Sequence, residues 1–185
     1  MEYNEISGDL IALAKQGTFD VIAHGCNCFC RMKRGLAPQM AEAFGCDTFP
    51  LELKFYKEYT ADGLDYNVLT KNEGDINKLG QIDSRIVGIK NGKVYFGWDT
   101  KTTEIHKLTV VNAYTQYQWG TELKPFDYEA FTLCMRKINH KFKGTHIGLP
   151  QIGSHLAGGD WERIKEIIQK ELKDCKVTIV IYNNG

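Results

Sequence analysis

Phe19-Asp20-Val21-Ile22-Ala23-His24-Gly25-Cys26-Asn27 is the stretch on which the reading of this chain turns. Phe19 to His24 is a compact apolar run, the pattern of a strand buried on both faces, since a strand with one wet face would alternate. From Gly25 the chain becomes polar and glycine-bearing, which predicts a loop. Upstream, Tyr3 to Ser7 reads as a first strand. Asp9 then suits the N-cap of a helix whose apolar face carries Leu10, Ile11, Leu13 and Ala14. Downstream, Pro38 fits the first turn of a helix within Leu36 to Phe44.

The same rhythm returns in the second half. Thr109 to Ala113 is a β-branched strand, Tyr128 to Phe142 an amphipathic helix, and His146 to Leu149 a strand stopped by Pro150. Asp160 can cap a helix holding Trp161, Ile164, Ile167, Ile168 and Leu172, and Val177 to Tyr182 closes the sheet. Between the halves, Pro50 to Tyr59 is compatible with a helix and Asp62 to Asn77 with an exposed excursion. Arg85 to Ile89 and Val94 to Trp98 flank Asn91-Gly92, a strong hairpin signal. This order predicts an α/β fold in three layers, α/β/α, around a central mixed sheet. Ligands of such sheets sit beyond the carboxyl ends of the strands. The loops after His24 and Pro150 fall there.

The 185 residues argue for one domain, and 43% hydrophobic with 25% charged residues is ordinary for a globular protein. Lys+Arg and Asp+Glu both number 23, so net charge gives no push toward nucleic acid or membrane. No stretch reaches the roughly 18 apolar residues of a membrane span. The opening residues lack the cationic and apolar regions of a signal peptide, so a cytoplasmic location is expected. The six cysteines then read as thiols. Cys26, Cys28 and Cys30 alternate, which in an extended loop points the side chains apart and counts against chelation, so no metal site is expected. A dinucleotide-binding Rossmann unit would need Gly-x-Gly-x-x-Gly after the first strand, and Gly8-Asp9-Leu10 does not supply it.

Two loops carry chemistry. In the first, Asn27 offers donors and an acceptor to a ribose hydroxyl, and Gly35 before a helix lets amides approach an anion. In the second, Gly153-Ser154-His155-Leu156-Ala157-Gly158-Gly159 lies between a strand and a capped helix, which suits a backbone nest for phosphate. A diphosphate held between two glycine loops is the composite expectation.

Gly8-Asp9-Leu10, Phe19 to Asn27, Gly35-Leu36-Ala37, Leu149 to Gly153, Leu156 to Trp161 and Val180-Ile181-Tyr182 together resemble the motifs of macro domains. The resemblance spans 1–185 as a single macro domain, with an insertion around 46–107 that the motifs do not cover. It is nearest in flavour to the ADP-ribose-1″-phosphate phosphatase-like subgroup of bacteria and phages. The resemblance implies ADP-ribose or a derivative as ligand and no further cofactor. It implies that Asp9, with Leu10 beside it, meets the adenine amino group and that Tyr182 or Asn183 borders the ring. Asn27 would face the distal ribose, Gly35 would line it, and Gly153, Ser154, His155, Leu156, Ala157 and Gly158 would wrap the diphosphate.

The chain departs from the family at Lys33 and Arg34, where small residues are usual, and at Ser154-His155. Two long cations there either obstruct the pocket or clamp an extra phosphate. Ala157 and Asn112-Ala113-Tyr114 stand where a catalytic Asp and Lys of related hydrolases are sought, which disfavours that chemistry. The expected function is therefore binding of ADP-ribose or a derivative with hydrolysis of a terminal phosphate or related ester, with His24 or His155 as acid or base and Asn27 beside them. The alternatives are an ADP-ribose or nucleotide-binding module without turnover, and a degenerate macro domain with an altered pocket.

Overall fold

The computed structural model describes residues 2–48, 73–97, 104–120 and 125–182. Along the chain run β1 (Glu2–Ser7), α1 (Leu10–Lys15), β2 (Val21–Asn27), α2 (Ala37–Phe44), β3 (Ile82–Lys90) and β4 (Lys93–Tyr95). Then come β5 (His106–Gln116), α3 (Tyr128–Lys141), β6 (His146–Pro150), α4 (Trp161–Glu171) and β7 (Lys176–Ile181). The expected helix over Pro50 to Tyr59, most of the excursion to Asn77, and the end of the hairpin at Trp98 lie outside the described residues.

The seven strands form one mixed sheet in the order β1-β7-β6-β2-β5-β3-β4. β1, β7, β6, β2 and β5 are parallel, and β3 and β4 continue the sheet antiparallel. Its two faces are covered by different helices. Val21, Ala23, Val111, Ala113, Val177 and Ile179 pack toward Phe131, Met135, Ile164 and Ile168 of α3 and α4. Ile22, Leu108, Val110 and Val180 pack on the other face toward Leu10, Ala14, Met40 and Phe44 of α1 and α2. This is why the β2 run is continuously apolar: alternate side chains serve two cores. Burying a side chain such as Phe131 or Met135 contributes roughly 1.5–3 kcal/mol. The expected three-layer α/β/α architecture is present.

Local signals explain the element ends. Asp9 accepts from the Ile11 and Ala12 amides, Asp127 from Ala130, and Asp160 from Glu162, so each starts a helix. Asn91 and Gly92 take φ of 50° and 72°, the left-handed pair that a tight β3–β4 turn requires. Within the stretch expected to be an insertion, β3 pairs with β5 from Ile82↔Ala113 to Ile89↔His106.

The loop expected from Gly25 begins later. β2 continues through Asn27, with His24 opposite Asn112 and Gly25 opposite Ala113. Gly25 is a packing residue there, since a Cβ would stand 3.0 Å from both Ile152 Cγ2 and Thr115 Oγ1. His24 is therefore inside the strand, not at its end. β5 is likewise longer than expected, and β4 shorter.

Candidate functional site

The carboxyl ends of β2, β5, β6 and β7 lie along one edge of the sheet, and a cavity of about 820 Å³ opens there. That volume suits a small-molecule ligand. Asp9, Leu10, His24, Asn27, Lys33, Arg34, Gly35, Gly153, His155, Leu156, Ala157 and Tyr182 all line it. Ser154 and Gly158, expected in the same set, are not among its lining residues.

The two glycine loops meet across the cavity. Gly35, at φ 65°, lies so close to the second loop that a Cβ there would be 3.7 Å from Leu156 Cδ1. In the second loop, the Ile152, Ser154, Gly158 and Gly159 amides donate to the Pro150, Gln151, His155 and Gly153 carbonyls. Among the described residues, the amides of Gly153, His155, Leu156 and Ala157 have no such acceptor, which leaves four donors in one short arc. Gly153 and Gly159 press on Phe126, which beds the loop from beneath.

Asn27 organises the first loop. Its Oδ1 accepts from the Phe29 and Arg31 amides at 3.1 and 3.2 Å, and its Nδ2 donates to the Arg31 carbonyl at 3.0 Å. One Nδ2 hydrogen is left over by these contacts. Asp9 spends only Oδ1 on its helix cap, at 2.8 and 3.0 Å. Ser154 Oγ donates to the Gln151 carbonyl at 2.9 Å and lies 3.0 Å from His155 Nδ1. The hydroxyl hydrogen is thus committed to the carbonyl, so Nδ1 donates the second bond, and these contacts leave Nε2 unengaged.

Beneath the first loop lies a polar network that sequence reasoning did not anticipate. His24 Nε2 is 2.7 Å from Asn112 Oδ1, while the Asn112 amide donates to the Cys46 carbonyl at 2.8 Å and to Asp83 Oδ1 at 2.9 Å. Asn112 therefore presents an acceptor, and His24 Nε2 carries the hydrogen. Burial lowers His24 from 6.5 to about 4, against the raising effect of its Asn112 bond, so the ring is neutral near pH 7. Tyr114 donates to Asp83 Oδ2. Burial pushes Asp83 up from 3.8 to about 6, opposed by its bonds from Tyr114 and Asn112. Burial, then the Asp83 charge, holds the Tyr114 hydroxyl protonated.

The loop after β5 was also missed. Thr115 and Gln116, at the end of β5, and Trp119 and Gly120, in the loop that follows, line the cavity. Trp119 is stacked by the Arg31 guanidinium at 4.4 Å and met edge-on by Phe29 at 5.2 Å. Arg31 also pairs with Glu73 at 3.0 Å. The carboxyl-end rule would have found this loop had β5 been read to its full length.

Among the described residues, no group of three or more His, Cys, Asp or Glu side chains is placed to hold a metal ion, and no helix is long and apolar enough to cross a membrane.

No protein-family model matches the chain. An uncharacterized 17.5 kDa protein from the tk-vs intergenic region of Enterobacteria phage T4 is 32% identical over 179 residues, covering 95% of this chain and 93% of that protein. Among solved structures, a protein of unknown function from Bacteroides thetaiotaomicron is similar with a TM-score of 0.60 at 25% identity, over 98% of both chains. The macrodomain of Mycobacterium tuberculosis DarG gives 0.55 at 19% identity, over 99% of this chain and 98% of that one. Thermosipho africanus DarTG, solved in complex with ADP-ribose, gives 0.58 at 14% identity, over 98% of this chain and 41% of that one. The chain belongs to the same family as the phage T4 protein, and its three-layer architecture is the macrodomain fold.

Proposed function

We propose that the cavity binds ADP-ribose, or a derivative with a further phosphate on the distal ribose. The observation that carries this reading is the group of four amides, at Gly153, His155, Leu156 and Ala157, that have no backbone acceptor among the described residues and belong to residues lining the cavity together with Gly35. Unsatisfied N–H groups clustered on one glycine-rich loop suit a diphosphate. The uncommitted Asp9 oxygen suits an adenine amino group, and the remaining Asn27 hydrogen suits a ribose hydroxyl. Lys33 and Arg34 line the same cavity and supply positive charge for an additional phosphate. Thermosipho africanus DarTG, which is similar to this chain over 41% of its own length, was solved in complex with ADP-ribose, and this supports the assignment.

Hydrolysis of that terminal phosphate, or of a related ester, is the second reading, and His155 favours it. Its free Nε2 stands on the loop that would hold the phosphates, where it can take a proton from an attacking water. His24, neutral and tied to Asn112, acts in this reading as a support for β2.

Calorimetric titration with ADP-ribose and ADP-ribose-1″-phosphate, with free phosphate assayed in the same samples, separates the readings. Binding with phosphate release that His155→Ala abolishes supports the enzyme. Binding without release leaves a binding module. Absence of heat with both ligands overturns the proposal.

A further inference from the structure

Thr115 brings a polar group to the cavity wall that the fold itself does not use. The residue is 1% exposed and lines the cavity. The Asp127 amide donates to its backbone carbonyl at 2.9 Å, but among the described residues its Oγ1 makes no hydrogen bond. A buried hydroxyl without a partner is rare and destabilising, because it gives up water and gains nothing in exchange. The buried Thr178 shows the usual outcome: its Oγ1 donates to Asn4 Oδ1 at 2.6 Å and lies 2.9 Å from His146 Nε2.

The backbone explains how the Thr115 hydroxyl comes to lie there. β2 and β5 run in step from Val21↔Thr109 to Cys26↔Tyr114, but the next pair is Asn27↔Gln116. Thr115 is therefore the extra residue of a β-bulge, a device that re-aims a side chain where a strand ends. Gly25 leaves the hydroxyl uncovered. A Cβ there would stand 3.0 Å from both Thr115 Oγ1 and Ile152 Cγ2, and Gly25 lines the same cavity.

The order of the sheet indicates what the hydroxyl meets. Along the carboxyl edge the strands run β1, β7, β6, β2, β5. In the ADP-ribose reading, on which this inference rests, Asp9 after β1 takes the adenine, the Gly153 loop after β6 the diphosphate, and Asn27 at the end of β2 the distal ribose. The end of β5 is the next position along that edge, beside Asn27. A threonine hydroxyl both donates and accepts, as a ribose hydroxyl does.

We propose that Thr115 is a specificity-determining contact whose hydroxyl hydrogen-bonds a hydroxyl of the distal ribose, so that the cavity reads the sugar as well as the diphosphate. The bulge and Gly25 hold the group ready, and its hydrogen-bonding capacity is met on binding. A site built around a buried hydroxyl penalises a ligand that leaves it unpaired.

The test compares the parent chain with Thr115→Val and Thr115→Ser by calorimetric titration with ADP-ribose and with ADP, which lacks the distal ribose. Thr115→Val exchanges only the hydroxyl for a methyl group. It is expected to weaken ADP-ribose binding about tenfold and to leave ADP binding unchanged. Thr115→Ser keeps the hydroxyl and should retain most of the ADP-ribose affinity. Thermal unfolding gives a second readout: with no partner to lose, Thr115→Val should melt at or above the parent temperature. A fall of several degrees would show that the hydroxyl serves the fold and would overturn the proposal. An equal loss of affinity for both ligands overturns it as well. If the parent binds neither ligand, the ADP-ribose reading fails and this inference falls with it. If the parent and Thr115→Val bind ADP-ribose equally well, this inference alone is wrong.

Discussion

Replacing Gly153 by alanine tests whether the second loop is shaped by its packing on Phe126. Gly153 sits at φ 77°, where an L residue costs about 1–2 kcal/mol. A Cβ there would also stand 2.3 Å from Phe126 Cδ2 and Cε2. No ring tolerates that approach, and forced repacking of a well-filled site costs typically ~1–3 kcal/mol more. A loss of about 3 kcal/mol lowers the melting temperature of a chain this size by roughly 6–12 °C. Gly35→Ala is the internal control. Its φ of 65° carries the same backbone cost, but its Cβ would meet only Leu156 Cδ1 at 3.7 Å, an ordinary contact. That variant should lose about 1 kcal/mol, or roughly 2–4 °C. Thermal unfolding followed by circular dichroism gives both numbers. Equal losses at the two glycines would refute the claim that Phe126 beds the loop.

Asp83 is held at about 6 in the folded chain against an ordinary 3.8, so its protonated form is favoured by folding. The stability this contributes is complete below pH 4 and is lost as pH rises through 6, a change of roughly 3 kcal/mol. His24, lowered from 6.5 to about 4, acts in the opposite sense: its contribution is present above pH 6.5 and disappears as pH falls through 4. Asp83→Asn removes the first effect and leaves the second, so urea midpoints of this variant should fall more steeply than those of the parent between pH 6 and pH 4; parallel profiles would contradict the assignment. Asp127→Ala deletes the cap that accepts from the Ala130 amide at 2.9 Å and should cost about 1 kcal/mol in the same unfolding assay. Lys33→Gly with Arg34→Gly should weaken calorimetric binding of ADP-ribose-1″-phosphate more than binding of ADP-ribose; the reverse order would mean that these side chains obstruct the cavity.

The layers and caps were legible because their causes are local. Two-faced burial writes itself as the Val21 to Ala23 run, the Asp9 and Asp160 caps precede their helices directly, and Asn91-Gly92 specifies its own turn. Gly25 misled because a glycine needed for close approach to Ile152 and Thr115 is indistinguishable in sequence from one that ends a strand. The expected site residues fall largely on one cavity because the carboxyl-end rule depends only on strand direction. The network joining Tyr114, Asp83, Asn112 and His24 was illegible, since its members come from separate stretches of chain and meet only through the β2–β5–β3 register.

Occupation of the cavity between the two glycine loops by ADP-ribose is open to amide chemical-shift mapping of the ¹⁵N-labelled chain. Titrated ADP-ribose should produce saturable shifts at Gly153, His155, Leu156 and Ala157, with further shifts around Asn27 and Gly35. The groove formed by Ile82, Arg136, Lys137, His140 and Lys141 on α3 and β3 should stay unperturbed. Shifts confined to that groove, or none that saturate, would contradict the claim.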